Sequence, residues 1–255
     1  MHRKIHAHVP CLRLSDNLEY ILQRRINPEI YFSSEALDAL TCGDLSTAAE
    51  QLHNAGLSTT IHAVFLDLNP GALDSTIREA TRWRFQQVFQ AAEILRPQVI
   101  VFHPGFDELR YGDSRAAWLK NSVSFWREFL PHARELGCTI AVENIFEKEP
   151  STLRGLLEAI DDPCFRHCFD VGHWNLFATV EMEEWFADLG HFMVEIHLHD
   201  NHGRADEHLP PGEGQVDFEL LFTLLKHYAP DALWTIEAHS RDRLERAFTA
   251  VNRYL

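Results

Sequence analysis

Short apolar or β-branched runs alternate along this chain with longer segments in which apolar residues recur at helical spacing. The runs read as strands at Ile5 to Val9, Glu29 to Phe32, Ser58 to His62, Val99 to His103, Thr139 to Glu143, His167 to Asp170, Val194 to His199 and Leu233 to Glu237. Between them, helical period is found over Ser15 to Arg25, Ser46 to His53, Ser75 to Leu95, Arg115 to Leu136, Thr152 to Ile160, Glu181 to Leu189, Phe218 to His227 and Arg241 to Tyr254. Strands that alternate with helices predict βα units and a parallel sheet. Eight of them are enough to close a barrel, and no linker divides the chain. The expected fold is therefore α/β, one (β/α)8 TIM-barrel domain over residues 1–255 with its active site at the C-terminal ends of the strands. Asp74, Ser114, Ser151 and Ser240 are placed to cap helices, and Gly56 and Gly137 to end them. Pro131 is expected to kink or split the fourth helix.

Six consecutive strands finish on a potential metal ligand: His62, His103, Glu143, Asp170, His197 and Glu237. The intervals between these residues are 41, 40, 27, 27 and 40, about one βα unit each. In a closed barrel such positions open onto one face, so residues distant in sequence converge there. Crowded carboxylates raise one another's pKa, and a shared cation relieves that repulsion. His173, three residues beyond Asp170, and Asp206 with His208 in the loop after the seventh strand enlarge the donor set. Nine such residues exceed what a single ion takes, which permits one to three divalent ions. The stretch from His197 to His208 carries four histidines and three acidic residues. By itself it reads equally as a polar surface loop rich in histidine.

Composition narrows the partners. With 23 Lys+Arg against 38 Asp+Glu the net charge is −15, which opposes binding to nucleic acid or to an anionic membrane. Five scattered cysteines, Cys11, Cys42, Cys138, Cys164 and Cys168, form no Cys-x-x-Cys pair, so neither a disulfide framework nor a thiolate zinc site is indicated. A reducing, cytoplasmic setting is expected. Met1-His2-Arg3-Lys4 is basic but is followed by too short an apolar run for a signal peptide, and no run approaches a membrane span.

Taken together, Asn69-Pro70-Gly71, His103-Pro104-Gly105, Glu143-Asn144, Asp170-Val171-Gly172-His173, His197-Leu198-His199-Asp200, Gly212-Glu213-Gly214 and the strand-end His62 and Glu237 resemble the xylose isomerase-like TIM-barrel superfamily. That superfamily includes endonuclease IV and many sugar or sugar-phosphate isomerases and epimerases. The resemblance implies a single divalent ion (Mn, Co, Mg or Zn) held by Glu143, Asp170, His197 and Glu237 in an epimerase. In the nuclease it implies three zinc ions, adding His62, His103, His173, Asp206 and His208. The expected activity is isomerisation or epimerisation of a small carbohydrate, phosphorylated or not, through a metal-stabilised enediolate, with Glu143 and Glu237 moving the proton. His62, His103, His173 and His199 would contact substrate, Asp200 would orient His199, and Arg204 is the cationic candidate for an anionic group. Trp174 and Phe106 are candidates for an apolar wall. The alternative is a zinc-dependent phosphodiesterase acting at abasic DNA sites, with Phe65-Leu66 as a wedge into the duplex.

Overall fold

Eight parallel strands hydrogen-bond in chain order and the last returns to the first, closing the barrel. They are β1 (Ile5–Pro10), β2 (Asn27–Tyr31), β3 (Thr60–His62), β4 (Val99–Phe102), β5 (Thr139–Glu143), β6 (Phe165–Asp170), β7 (Met193–Leu198) and β8 (Leu233–Ile236). The computed structural model describes residues 5–39 and 42–255, without the side chains of Cys42 and Asp44. The basic Met1–Lys4 segment thus lies outside the described residues. The helices are α1 (Leu14–Arg24), α2 (Ser34–Ala39), α3 (Cys42–Asn54), α4 (Ser75–Leu95), α5 (Glu108–Tyr111), α6 (Arg115–Leu136), α7 (Ser151–Ile160), α8 (Val171–Phe177), α9 (Met182–Leu189), α10 (Phe218–Tyr228) and α11 (Arg241–Val251).

All eight expected strands are present. Pro28 lies inside β2, paired by register with Ala7, although a proline ordinarily argues against a central strand. Three helices escape the periodic pattern, α2, α5 and α8, because none is longer than seven residues. Contrary to expectation, Pro131 does not divide α6, which runs unbroken from Arg115 to Leu136. The helix buries Trp118, Phe125, Trp126 and Phe129, and that packing outweighs the ~3 kcal/mol a proline costs in a helix interior. Asp74 and Ser240 accept the amide hydrogens of Thr76 and Arg243 as caps. Ser114 makes no such bond, and Ser151 stands one position inside α7, whose cap is Pro150. Gly56 and Gly137 both adopt φ +69°, the left-handed turn out of a helix that a side chain resists.

Buried apolar residues separate into two bodies. The larger joins outward-facing strand residues such as Ile61, Ile100, Phe102, Ile140 and Ile196 to the helices. A small one, Val99, Val101, Ala141 and Cys168, fills part of the barrel interior. The rest of that interior is polar, with Asn27, Glu29, Thr60, Glu195 and Thr235 all buried. Cys11, Cys138, Cys164 and Cys168 are free thiols, and the Cys42 side chain falls outside the described residues. Among the described residues no helix is long and apolar enough to cross a membrane.

Trp118 ties α6 to the loops at the C-terminal mouth. Its ring is fully buried, its indole N–H donates to Asn69 Oδ1 at 3.2 Å, and it lies against Phe106 with ring centroids 5.0 Å apart. Trp118→Ala is expected to lower the free energy of unfolding by about 3–5 kcal/mol in urea titration. A loss under 1 kcal/mol would show that this contact does not anchor the loops.

Candidate active site

The donors predicted from the strand ends meet at the C-terminal mouth. Glu143 lies at the centre: His62 Nε2 stands 3.2 Å and His103 Nε2 3.4 Å from Oε2, while His173 Nδ1 stands 3.1 Å and His197 Nδ1 3.6 Å from Oε1. The same His197 nitrogen is 3.7 Å from Asp170 and 3.3 Å from Glu237. Asp206 and His208 reach in from the loop after β7. His208 lies between Asp206, at 2.9 Å, and Glu237, at 3.5 Å, and Asp206 is also 3.6 Å from His173. All nine predicted donors are therefore brought together.

Several motif residues hold this arrangement in place. Asn144 donates to the Asp170 carbonyl at 2.8 Å and accepts the Asp170 amide at 2.9 Å, locking the ends of β5 and β6 together. Asn69 donates to the Gly105 carbonyl and accepts from the Gly71 amide, fastening two loops. Asp170 caps α8 by accepting the His173 amide at 2.6 Å, which fixes the position of that histidine. Gly172 lies directly under His199, since a Cβ there would fall 2.0 Å from the ring. Arg243 donates to the carbonyls of Glu207 and His208 and so pins the donor loop.

His199, expected to contact substrate, also faces the carboxylates. Its Nε2 is 3.0 Å from both Asp170 oxygens and 3.8 Å from Glu237, and its ring stacks on His208 at 4.1 Å. It faces the carboxylates as directly as His197 does. Asp200 does not orient it. The Asp200 carboxylate instead accepts the amides of Gly212, Gly214 and Val216 at 2.9, 2.8 and 3.1 Å, which shapes the Pro-Pro-Gly-Glu-Gly turn. Arg204 is exposed and is not among the residues lining the mouth. Trp174 is likewise absent from the lining, whereas Phe106, Phe65 and Leu66 belong to it.

The strand-end pattern missed Glu29, while His8, toward the end of the first strand, does line the mouth. Glu29 is fully buried in β2, 3.3 Å from His197 Nε2 and 3.6 Å from His8 Nδ1, and His8 is also 3.5 Å from Glu237. Burial alone would raise the Glu29 pKa, but the charge and hydrogen bond of His197, with help from His8, hold it at about 2. Burial similarly opposes ionisation of Glu143 and Glu237, yet His197 and the other imidazoles keep both well below the usual carboxylate range. Deeper in the barrel, Glu195 accepts from the Thr235 hydroxyl, and His197 offsets its burial only in part. Burial and the Glu29 charge push it up to about 8, which favours its neutral form.

Many of these atoms are close without being hydrogen-bonded. Glu143 Oε2, His173 Nδ1, His197 Nδ1, His199 Nδ1 and His208 Nδ1 are buried and have no aligned partner despite the short distances above. Side chains aimed at a common point, not at one another, have that geometry. Overlapping triads, among them His62/Glu143/His197, Asp170/His173/His199 and His199/His208/Glu237, hold their donor atoms within 4.8 Å, and imidazole with carboxylate suits a divalent transition metal. The residues present fit such an ion. Glu29 on the far nitrogen of His197 would fix that ring, as carboxylates behind metal-binding histidines do. Above the donors opens a cavity of about 870 Å³.

Comparison with known proteins agrees with this architecture. The sequence matches the family model of xylose isomerase-like TIM barrels over residues 29–253. It is 30% identical over 184 residues to an uncharacterized protein of Methanocaldococcus jannaschii, an alignment covering 69% of this chain and 63%, less than two thirds, of that relative. An L-ribulose-5-phosphate 3-epimerase of Salmonella typhi is 33% identical over 72 residues, 28% of this chain and 25% of the relative. Among solved structures, a D-tagatose 3-epimerase-like protein superposes with a TM-score of 0.83 at 25% identity, covering 98% of this chain and 96% of its own.

Asp200 offers a test of how the mouth is held. Asp200→Ala removes the acceptor of four amides, those of Asn201, Gly212, Gly214 and Val216, of which Asn201 and Val216 belong to buried residues, and a buried amide left unpaired costs roughly 1–3 kcal/mol. Urea titration is expected to register a loss on the order of 3–5 kcal/mol, partly recovered in Asp200→Asn. A variant as stable as the parent would mean that the turn is held by other contacts.

Proposed function

The chain belongs to the xylose isomerase-like TIM-barrel family, and we propose that it is a divalent-metal-dependent sugar isomerase or epimerase. One observation carries the reading. Glu143 at the end of β5 and Glu237 just beyond β8, with β6 and β7 between them, both line the cavity and both reach within 3.6 Å of the same His197 nitrogen. Two carboxylates so placed can address the two faces of one carbon. The epimerase names of the relatives support the same class.

A cation held by Glu143, Asp170, Glu237 and the imidazoles of His197 and His199 would supply Lewis acidity toward adjacent carbonyl and hydroxyl oxygens of a ketose. One glutamate takes the proton from the carbon beside the carbonyl, and the electron pair moves onto the carbonyl oxygen. The other glutamate delivers a proton from the opposite face, which inverts the centre. Delivery to the former carbonyl carbon, with the neighbouring hydroxyl proton passing to the former carbonyl oxygen, gives the isomer. His62, His103 and His173 line the same cavity and are placed to hydrogen-bond the sugar hydroxyls. Glu29 keeps the His197 ring from turning.

A second reading, metal-dependent phosphodiester hydrolysis, is favoured by the convergence of Asp206 and His208 on the other donors. Against it, Arg110 alone among the described lining residues is a lysine or arginine, so phosphates of a strand would find little to bind.

With manganese, cobalt or magnesium supplied, solvent deuterium is expected to enter a ketose, as read by mass spectrometry. Glu143→Gln and Glu237→Gln should each slow this exchange by about 10²–10⁴-fold, the usual contribution of a positioned acid or base. A chelator should abolish it. Absence of exchange across a panel of ketoses, with incision of an abasic oligonucleotide instead, would overturn the proposal in favour of the hydrolase.

A further inference from the structure

Whether the mouth accepts an anionic sugar depends on what its amides and cationic side chains already hold. In TIM barrels a phosphate is frequently bound by the loops after the seventh and eighth strands and by the N-terminus of a short helix. Here the protein's own acceptors occupy those positions. After β7, the amides of Gly212, Gly214 and Val216 turn onto the carboxylate of Asp200, which is fully buried. After β6, the first turn of α8 donates the His173 amide to Asp170 at 2.6 Å. After β8, Ser240 Oγ accepts the Arg243 amide at 3.2 Å. The glycine-containing turn that would cradle a phosphate is thus filled from within by a carboxylate.

The side-chain cations are similarly engaged. Arg110 is the one lysine or arginine among the described residues lining the cavity, and its Nε lies 3.4 Å from Asp107. On α11, Arg241 donates to Asn17, Arg243 to the carbonyls of Glu207 and His208, and Arg246 pairs with Glu213 and Asp242. Lys148 and Arg204 are exposed and do not line the cavity. The imidazoles of His8, His62, His103, His173 and His208 each lie within 3.6 Å of a carboxylate oxygen. His239, stacked on His208 at 4.2 Å, is driven toward its neutral form by partial burial and by His208.

Negative groups, in contrast, are in surplus. Asp67, Asp107 and Asp206 line the cavity beside Glu143 and Glu237, and Asp67 is exposed. The three carboxylates of Glu143, Asp170 and Glu237 outweigh the two charges of one divalent ion. A phosphate dianion would enter a field of its own sign.

We infer that the substrate is an uncharged ketose, a keto-sugar that carries neither phosphate nor carboxylate. The inference rests on the isomerase or epimerase reading above and narrows it. A free ketose keeps the carbonyl beside a C–H that proton transfer requires, and its remaining oxygens are hydroxyls that the histidines can meet.

Deuterium exchange by the manganese-loaded protein, read by mass spectrometry on matched pairs, tests it. The pairs are L-ribulose with L-ribulose 5-phosphate, D-fructose with D-fructose 6-phosphate, and D-tagatose with D-tagatose 6-phosphate. In the pair that exchanges fastest, kcat/KM for the free sugar is expected to exceed that for its phosphate by roughly tenfold or more. Asp107→Asn keeps a side-chain acceptor for the Leu109 amide, which Asp107 Oδ1 receives at 2.9 Å, and releases Arg110. It is expected to narrow the gap by roughly threefold, in keeping with an exposed charge pair, through a rise in kcat/KM for the phosphate. A phosphate processed as fast as its free sugar or faster, or a gap that Asp107→Asn leaves unchanged, would overturn the inference while the isomerase reading stands. Exchange into no member of any pair would overturn that reading and this inference with it.

Discussion

Burial of negative charge at the mouth of the barrel is the constraint that the rest of this structure serves. Glu29, Glu143, Asp170 and Glu237 are all inaccessible or nearly so, and an isolated buried carboxylate costs far more than a folded domain has to spare. The protein surrounds them with imidazoles. His8, His62, His103, His173, His197, His199 and His208 each lie within 3.6 Å of a carboxylate oxygen. Yet several of the facing atoms are not aligned as hydrogen bonds, so the imidazoles alone do not complete the compensation. The cation proposed above, shared among them, would complete it.

That requirement explains why so much of the surrounding sequence is spent on positioning. Asn144 bridges β5 to β6, Gly172 leaves room for the His199 ring, Asp200 gathers three amides of the following turn, and Arg243 pins the loop that presents Asp206 and His208. None of these side chains lines the cavity. They hold the donors in the mutual positions described above. The barrel supplies the convergence, and these contacts supply the precision.

Much of this was legible in the residues alone, for reasons the geometry makes clear. A βα unit delivers the last residue of its strand to one face, so donors at strand ends had to converge once the barrel closed. Glu29 escaped because β2 carries its carboxylate two residues before its end, at Tyr31, where a criterion based on final residues does not look. The part played by His199 was underestimated, although strand alternation puts it on the same face as His197. The apolar side of the cavity was legible in part: Phe106, Phe65 and Leu66 were singled out and do line it, Trp174 does not, and nothing marked Phe146, in a loop without periodicity, or Arg110, on a helix of four residues. Pro131 shows the opposite failure, a local rule overridden by the packing of a long helix.

The claim on which all else turns is that these buried donors are built around a divalent ion. Elemental analysis of protein purified without added metal, paired with its thermal unfolding before and after chelation, addresses that claim most directly. The account predicts at least one divalent ion per chain, and a midpoint that falls on chelation and recovers when metal is returned, because an ion bound only by the folded state stabilises it. Protein that carries no metal, and whose midpoint no divalent cation shifts, would contradict it.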